Sequence, residues 1–360
     1  MLNAVRSKPD LLVAVRAALA EVGHPLQALP MVCLEDKGLA HDHVRLIGAS
    51  LLVRVPKQSQ LQLGAHDNLT YQRICFERAK ASGHVPQCHG FLAPSVYLPR
   101  GALVVEEIVG RGVRLPTDVG LIVQALASIH SLPLPADSDR VGLIDQPDPL
   151  EALLDEVAEQ ARYLTQAGVS ANVQTILQRE IFDLQQRCGR ASRPGRCLIA
   201  FDGHPGNYVI REAPGQTARA ILVDLEKCRY SYPGLDLAHA TLYTSTTWDA
   251  NVNAELSIHS VCEAYAIWSD AVGPLLAIAM KPWHLPLRRA MWMWSVTWCA
   301  KWRSLSGLAA RNSGDGEDWS EQRSDALLVA HVRDRVDHYL SDAVVERVQD
   351  ELRQLESVLG

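Results

Sequence analysis

The texture of the chain changes once, and that change constrains the fold more than any composition figure does. Over residues 31–105 short apolar runs alternate with turn residues, the pattern of strands in a small sheet. Beyond Gly110 apolar residues recur mainly at helical spacing, interrupted by one strand-rich stretch at 197–226. A helix over 10–22, stopping at Gly23, precedes the strands. The run Val44-Arg45-Leu46-Ile47, the turn Gly48-Ala49-Ser50 and the run Leu51-Leu52-Val53-Arg54-Val55 predict a hairpin closed at Pro56. A helix follows at 68–82, then strands at 87–92 and 102–108. Helices are predicted at 119–132, 150–167, 173–186, 235–243, 261–272, 285–305 and 325–359, with a polar loop at 310–322. The expected class is α+β: a smaller sheet-plus-helix lobe followed by a larger helical one.

At 360 residues, with 48% hydrophobic and 21% charged residues, the chain has the means to bury such a core. Its net charge of −6 argues against nucleic acid as a partner, because no strong cationic field is available. The eight cysteines show no zinc-type spacing and sit mostly among apolar neighbours, as reduced thiols do. The first ten residues lack a signal-peptide pattern, and the apolar run 271–280 is too short to span a bilayer. The expectation is a cytoplasmic protein with no membrane partner.

Chemistry concentrates in Ala200-Phe201-Asp202-Gly203-His204-Pro205-Gly206-Asn207 and in Ile221-Leu222-Val223-Asp224-Leu225-Glu226. If the strand at Tyr208 pairs with the strand at Val223, Asn207 falls opposite Asp224. Opposed residues lie about 5 Å apart, close enough to share a hard cation through oxygen. That arrangement suits magnesium completed by phosphate and water. Asp202 stands at the other end of the same loop, free to meet a substrate. Either segment alone is equally an ordinary turn, built from the residues turns favour; together, in hairpin register, they make a site.

These residues resemble the aminoglycoside phosphotransferase and choline kinase family, small-molecule kinases of the protein-kinase-like fold. That family's loop reads His-Gly-Asp-x-His-x-x-Asn, followed by an Ile-Asp-Trp/Phe-Glu strand and a Gly-x-Pro-x-x-Asp-Leu-Ala segment. Here the counterparts are Asp202 to Asn207, Val223-Asp224-Leu225-Glu226, and Tyr232-Pro233-Gly234-Leu235-Asp236-Leu237-Ala238. The likeness runs over residues 33–243. It implies Asp202 as catalytic base, Asn207 and Asp224 as magnesium ligands, Asp236 as a structural carboxylate, and ATP and a small-molecule hydroxyl compound as substrates. It also implies a nucleotide-binding lobe at 1–104, a hinge at 105–110, and a helical lobe at 111–360 carrying the catalytic loop and the acceptor pocket. One departure stands out: Ala200-Phe201 replaces His-Gly, which touches the rigidity of the loop more than its chemistry.

For the nucleotide, the resemblance implies Arg54 as the phosphate-binding cation, Glu77 as its ion-pair partner and a turn at 35–43, with Gly38, covering the phosphates. It implies backbone groups of Glu106, Glu107 and Ile108 for adenine. Taken singly, Arg54 reads slightly more readily as a solvated strand residue, Glu77 equally as a surface carboxylate, and the turn more readily as an ordinary one. His130 reads as a buried or capping histidine.

Trp294, Trp298 and Trp302 recur every fourth position and share a helix face with core character. The open alternative is an aromatic wall for a quaternary ammonium or a flat ring. Two other function classes remain: a catalytically weak or inactive kinase-like ligand-binding protein, and a metal-dependent hydrolase using Asp202, His204 and Asp224.

Overall fold

The computed structural model describes residues 8–35, 38–188, 192–308 and 324–359. They fall into two compact units, and neither is a single stretch of chain. One draws on Met1–Glu77, Pro86–Ile108 and Leu305–Val332, the other on Arg78–Val85, Val109–Ser304 and Arg333–Gly360.

The first unit is built on helix α1 (Lys8–Glu21), strands β1 (Met31–Cys33), β2 (His41–Leu46) and β3 (Leu51–Pro56), helix α2 (Ala65–Ala79), and strands β4 (Cys88–Leu92) and β5 (Ala102–Glu106). The strands form one antiparallel sheet in the order β1-β2-β3-β5-β4. In the β2–β3 ladder Val44 pairs with Val53, Asp42 with Val55 and His43 with Arg54. Side chains alternate across a strand, so Val44, Leu46, Val53 and Val55 share one face, and His41, His43 and Arg54 the other. The apolar face meets Leu11, Val15, Ala18 and Leu19 of α1, all buried. Each of those larger side chains contributes about 1.5–3 kcal/mol on leaving water. The polar face is left to α2, whose buried residues Asn68, Gln72, Cys75, Phe76 and Ala79 recur at helical spacing. The predicted hairpin is present. Its first strand begins earlier than expected, so His41, Asp42 and His43, assigned above to a phosphate turn, are strand residues.

The second unit opens with β6 (Arg111–Gly112) and α3 (Val119–His130), followed by α4 (Pro149–Ala161) and α5 (Ala171–Cys188). The strand-rich stretch supplies β7 (Cys197–Ile199), β8 (Tyr208–Arg211), β9 (Arg219–Leu222) and β10 (Arg229–Ser231). Helices α6 (Pro233–Thr241), α7 (Tyr243–Thr246), α8 (Ile258–Val272), α9 (Pro274–Met280), α10 (His284–Leu305), α11 (Ala326–Tyr339) and α12 (Asp342–Leu359) complete the described residues. Strands β6, β8 and β9 form one antiparallel sheet, and β7 and β10 another. Helix α3 is the centre of this unit. Ile122, Val123, Ala125, Leu126 and Ile129 are fully shielded from solvent, and it packs on α6, α8, β7 and β9. Gly110 lets β6 approach β8, since a Cβ there would sit 2.3 Å from the Ile210 carbonyl oxygen.

Two predicted helices end differently. The helix expected at 150–167 ends at Ala161 and gives way to turns closed by Gly168 at φ 68°. The helix expected at 325–359 is two, because Ser341 turns its hydroxyl back onto the His338 carbonyl at 2.6 Å and a new helix starts at Asp342. The polar loop at 310–322 lies outside the described residues.

Candidate active site

The catalytic-loop candidate is anchored from below by one buried carboxyl group. Asp236, in the first turn of α6, accepts the backbone N–H of Ala200 at 2.7 Å through Oδ2 and that of Phe201 at 2.7 Å through Oδ1. Its Oδ2 also meets His130 Nε2 at 3.0 Å, and Trp268 Nε1 donates to His130 Nδ1 at 2.9 Å. An indole N–H only donates, so Nδ1 is the acceptor and Nε2 carries the proton directed at Asp236. Phe201 adopts φ 61°, a left-handed conformation that costs a bulky residue energy. The two hydrogen bonds to Asp236, together with the edge of Trp294 at 5.1 Å, hold it there. The departure Ala200-Phe201 therefore leaves a loop that is fixed by other means.

Asp202 follows directly. Its Oδ2 is 2.7 Å from Lys227 Nζ and its Oδ1 is 3.7 Å from His239 Nδ1. Burial is the largest single influence on Asp202 and opposes its ionisation, but Lys227, through its charge and its hydrogen bond, together with His204 and His239 outweighs it, so the carboxyl pKa lies below its ordinary value. The same contact acts on Lys227: burial opposes its charge, and Asp202, with Glu226 and Asp224, raises its pKa above that of an ordinary lysine. Lys227 reaches Asp202 across the face of Trp294, with Nζ 5.5 Å from the ring centroid. Neither Lys227 nor His239 stands out by spacing. Lys227 directly follows the Asp-Leu-Glu run, and His239 lies one helical turn beyond Asp236; those placements were the only signals available.

The loop closes tightly. His204 Nδ1 accepts the Gly206 N–H at 3.2 Å and caps the short turn Pro205–Asn207. A Cβ on Gly206 would lie 2.8 Å from Asp249 Oδ2. Asn207 Nδ2 donates to the Asp202 carbonyl at 2.8 Å, which leaves the amide oxygen as the end available to a cation. The register differs by one residue from that expected. Tyr208 pairs with Leu222, and the Val223 N–H donates to the Asn207 carbonyl at 2.9 Å, so Asp224 comes one residue after the position opposite Asn207. The reason is the connecting loop, which turns through Gly215 at φ 74° and pairs Arg211 with Arg219. Asp224 Oδ1 accepts the Glu226 N–H at 3.4 Å. An amide oxygen and a carboxylate are both hard donors, the kind of ligand magnesium takes.

In the first unit Arg54 is buried on β3, not a solvated strand residue, and its Nη2 lies 3.1 Å from His41 Nδ1. The expected Arg54–Glu77 pair is not made. Glu77 points outward from α2 and pairs with Arg73 at 2.9 Å, because the buried face of the helix runs through Asn68, Gln72 and Cys75. The helix also begins earlier than expected and includes a second acidic residue, Asp67. Gly38 is exposed, and its neighbours Asp36 and Lys37 lie outside the described residues. The Glu106 N–H is bonded to the Gln87 carbonyl and the Glu107 N–H to the Ser50 carbonyl, each at 2.8 Å. The Glu107 side chain meets Arg45 at 2.5 Å. Of the three adenine-binding candidates, Ile108 alone keeps a backbone N–H outside these strand contacts.

The tryptophan stripe is core. Trp292, Trp294 and Trp302 are buried, and half-buried Trp298 meets the edge of Trp248 at 5.9 Å. Lys227 covers Trp294, and Arg229 lies 3.6 Å over the Phe201 ring. The aromatic faces beside Asp202 are therefore occupied by cations of the chain itself.

Burial pushes His239 and His284 down to about 4. Both are neutral in the folded protein at pH 7 and bind protons on unfolding once the pH falls below the ordinary histidine value of about 6.5. Their stabilising contribution is complete above that value and is lost as pH falls toward about 4. Chemical denaturation should show a loss of about 2 kcal/mol per histidine between pH 7 and pH 5. His284→Phe should remove its share of that slope.

The chain matches the sequence model of the phosphotransferase enzyme family over residues 36–268, and it belongs to that family. No curated protein matches it by sequence. Solved structures share its fold. Plasmodium vivax ethanolamine kinase has a TM-score of 0.62 at 12% identity, over 95% of this chain and 91% of that one. Choline kinase from Cryptosporidium parvum has a TM-score of 0.58 at 11% identity, over 98% of both chains. The GDP complex of aminoglycoside 2'-phosphotransferase-IIIa has a TM-score of 0.59 at 12% identity, over 97% and 99%. The fold is accordingly the α+β, two-lobed, kinase-like one, and family and fold together support a small-molecule phosphotransferase. Among the described residues no helix is long and apolar enough to cross a membrane.

Proposed function

We propose that the chain is an ATP-dependent kinase that phosphorylates a hydroxyl group of a small molecule in the cytoplasm. The observation that carries this reading is Asp202. It is an ionised carboxylate, fixed by Lys227 at 2.7 Å, on a loop whose preceding amides are locked onto buried Asp236. Asp202 orients the acceptor hydroxyl and takes its proton; Lys227 fixes the carboxylate's rotamer and keeps it charged. Arg54 neutralises nucleotide phosphate, and the Ile108 backbone meets the base. Asn207 and Asp224 would hold magnesium, which when bound neutralises charge on the phosphates. The covered faces of Trp294 and Phe201 count against acceptors recognised by an aromatic ammonium cage.

Asp224→Ala tests the metal side. The expected result, read by calorimetric titration of ATP at several magnesium concentrations, is nucleotide affinity at least tenfold weaker in magnesium and unchanged without it. Equal affinity with and without magnesium in the native chain would remove Asn207 and Asp224 from the metal role.

A further inference from the structure

Arg54, His41 and Gln72 are joined by a run of side-chain hydrogen bonds. Its guanidinium can only donate, so His41 Nδ1, 3.1 Å away, must accept. The proton of the imidazole is then on Nε2, which lies 3.1 Å from Gln72 Oε1 on α2. All three side chains are buried, at 3% exposure for Arg54, 3% for His41 and 1% for Gln72. The amide of Gln72 cannot be reversed, because its NH2 would then face the proton on Nε2. In the orientation observed, Gln72 Nε2 is buried with no hydrogen-bond partner, a cost accepted for keeping Oε1 on His41. His41 and Arg54 share the polar face of the β2–β3 ladder, and Gln72 lies on the buried stripe of the helix that covers it.

We infer that His41 and Gln72 are the positioning residues of Arg54: Gln72 fixes the imidazole tautomer, and the imidazole in turn fixes the guanidinium for nucleotide phosphate. The helix thus steers the cation through a hydrogen-bonded imidazole in place of the Glu77 carboxylate. This rests on the nucleotide reading above and adds a role to two residues outside it.

The test is equilibrium binding of ATP with magnesium to the full chain and its variants, with circular dichroism confirming the fold of each. His41→Leu should weaken binding at least tenfold, as Arg54→Met does, and should cost less than twofold more when made in the Arg54→Met background. His41→Asn places an acceptor oxygen where Nδ1 stood and should recover at least part of the affinity. Gln72→Leu, which leaves the ring free to turn, should fall between. His41→Leu binding within twofold of the native chain, or losses that multiply in the double variant, would overturn the relay alone. A native chain that binds no nucleotide would overturn the relay and the kinase reading together. If His41→Leu does not fold, Gln72→Leu and His41→Asn carry the same comparison with Arg54→Met.

Discussion

Asp202→Ala is expected to lower phosphoryl transfer about a thousandfold while nucleotide affinity stays within about twofold of the native chain. Removing the carboxylate takes away the group that orients the acceptor and receives its proton. It also leaves Lys227 buried beside Trp294 with its 2.7 Å partner gone. A buried charge that loses its hydrogen-bonded partner costs about 3 kcal/mol, less where Glu226 and Asp224 still act on it, so the variant should also unfold at lower denaturant concentration. Asp202→Ala combined with Lys227→Met separates the two effects. The double variant should regain stability, because a methionine stem still packs on Trp294, and should remain inactive. Recovery of activity together with stability would show that Asp202 acts only through the fold. Steady-state kinetics and urea unfolding on the three proteins give both readouts.

Asp236→Ala should be the most destabilising single change in the second unit, by about 4 kcal/mol. The carboxyl group is fully buried and accepts from the Ala200 and Phe201 amides while facing His130. Its loss strands three buried donors and releases Phe201 from the strained conformation at φ 61°. Asp236→Asn keeps one oxygen and should cost roughly half as much. A midpoint in urea unchanged by Asp236→Ala would mean that the loop is held by packing of Phe201 on Trp294 instead.

Much of this was legible in the sequence because it is local. Alternation in Val44, Leu46, Val53 and Val55 marks a sheet face, and the Pro and Gly residues around Asp202 mark the loop. The resemblance ties Asp202, Asn207, Asp224 and Asp236 to one family, which the family match over residues 36–268 bears out at the level of membership. What was not legible depends on distance through space. The Lys227–Asp202 contact joins a loop to a residue beyond a hairpin, and nothing in the spacing requires the lysine to fold back. The hairpin register lies one residue from the expected one because the whole connecting loop, turning through Gly215, sets the ladder. Charge alone singles out Glu77, whereas the phase of α2 turns it outward and turns Gln72 inward. The tryptophan periodicity identified a face correctly as core, but only the structure shows the chain's own cations lying on Trp294 and Phe201.

Phosphoryl transfer can be read directly by phosphorus NMR of ATP and magnesium incubated with the chain and a panel of small hydroxyl compounds: aminoglycosides, choline, ethanolamine, thiamine, homoserine and sugars. For a kinase built on Asp202, the γ-phosphate signal is replaced by that of ADP and a new phosphate monoester with at least one acceptor, and Asp202→Ala abolishes the new signal. ATP that binds but stays intact with every acceptor, or a monoester signal that persists at native rate in Asp202→Ala, would contradict this mechanism.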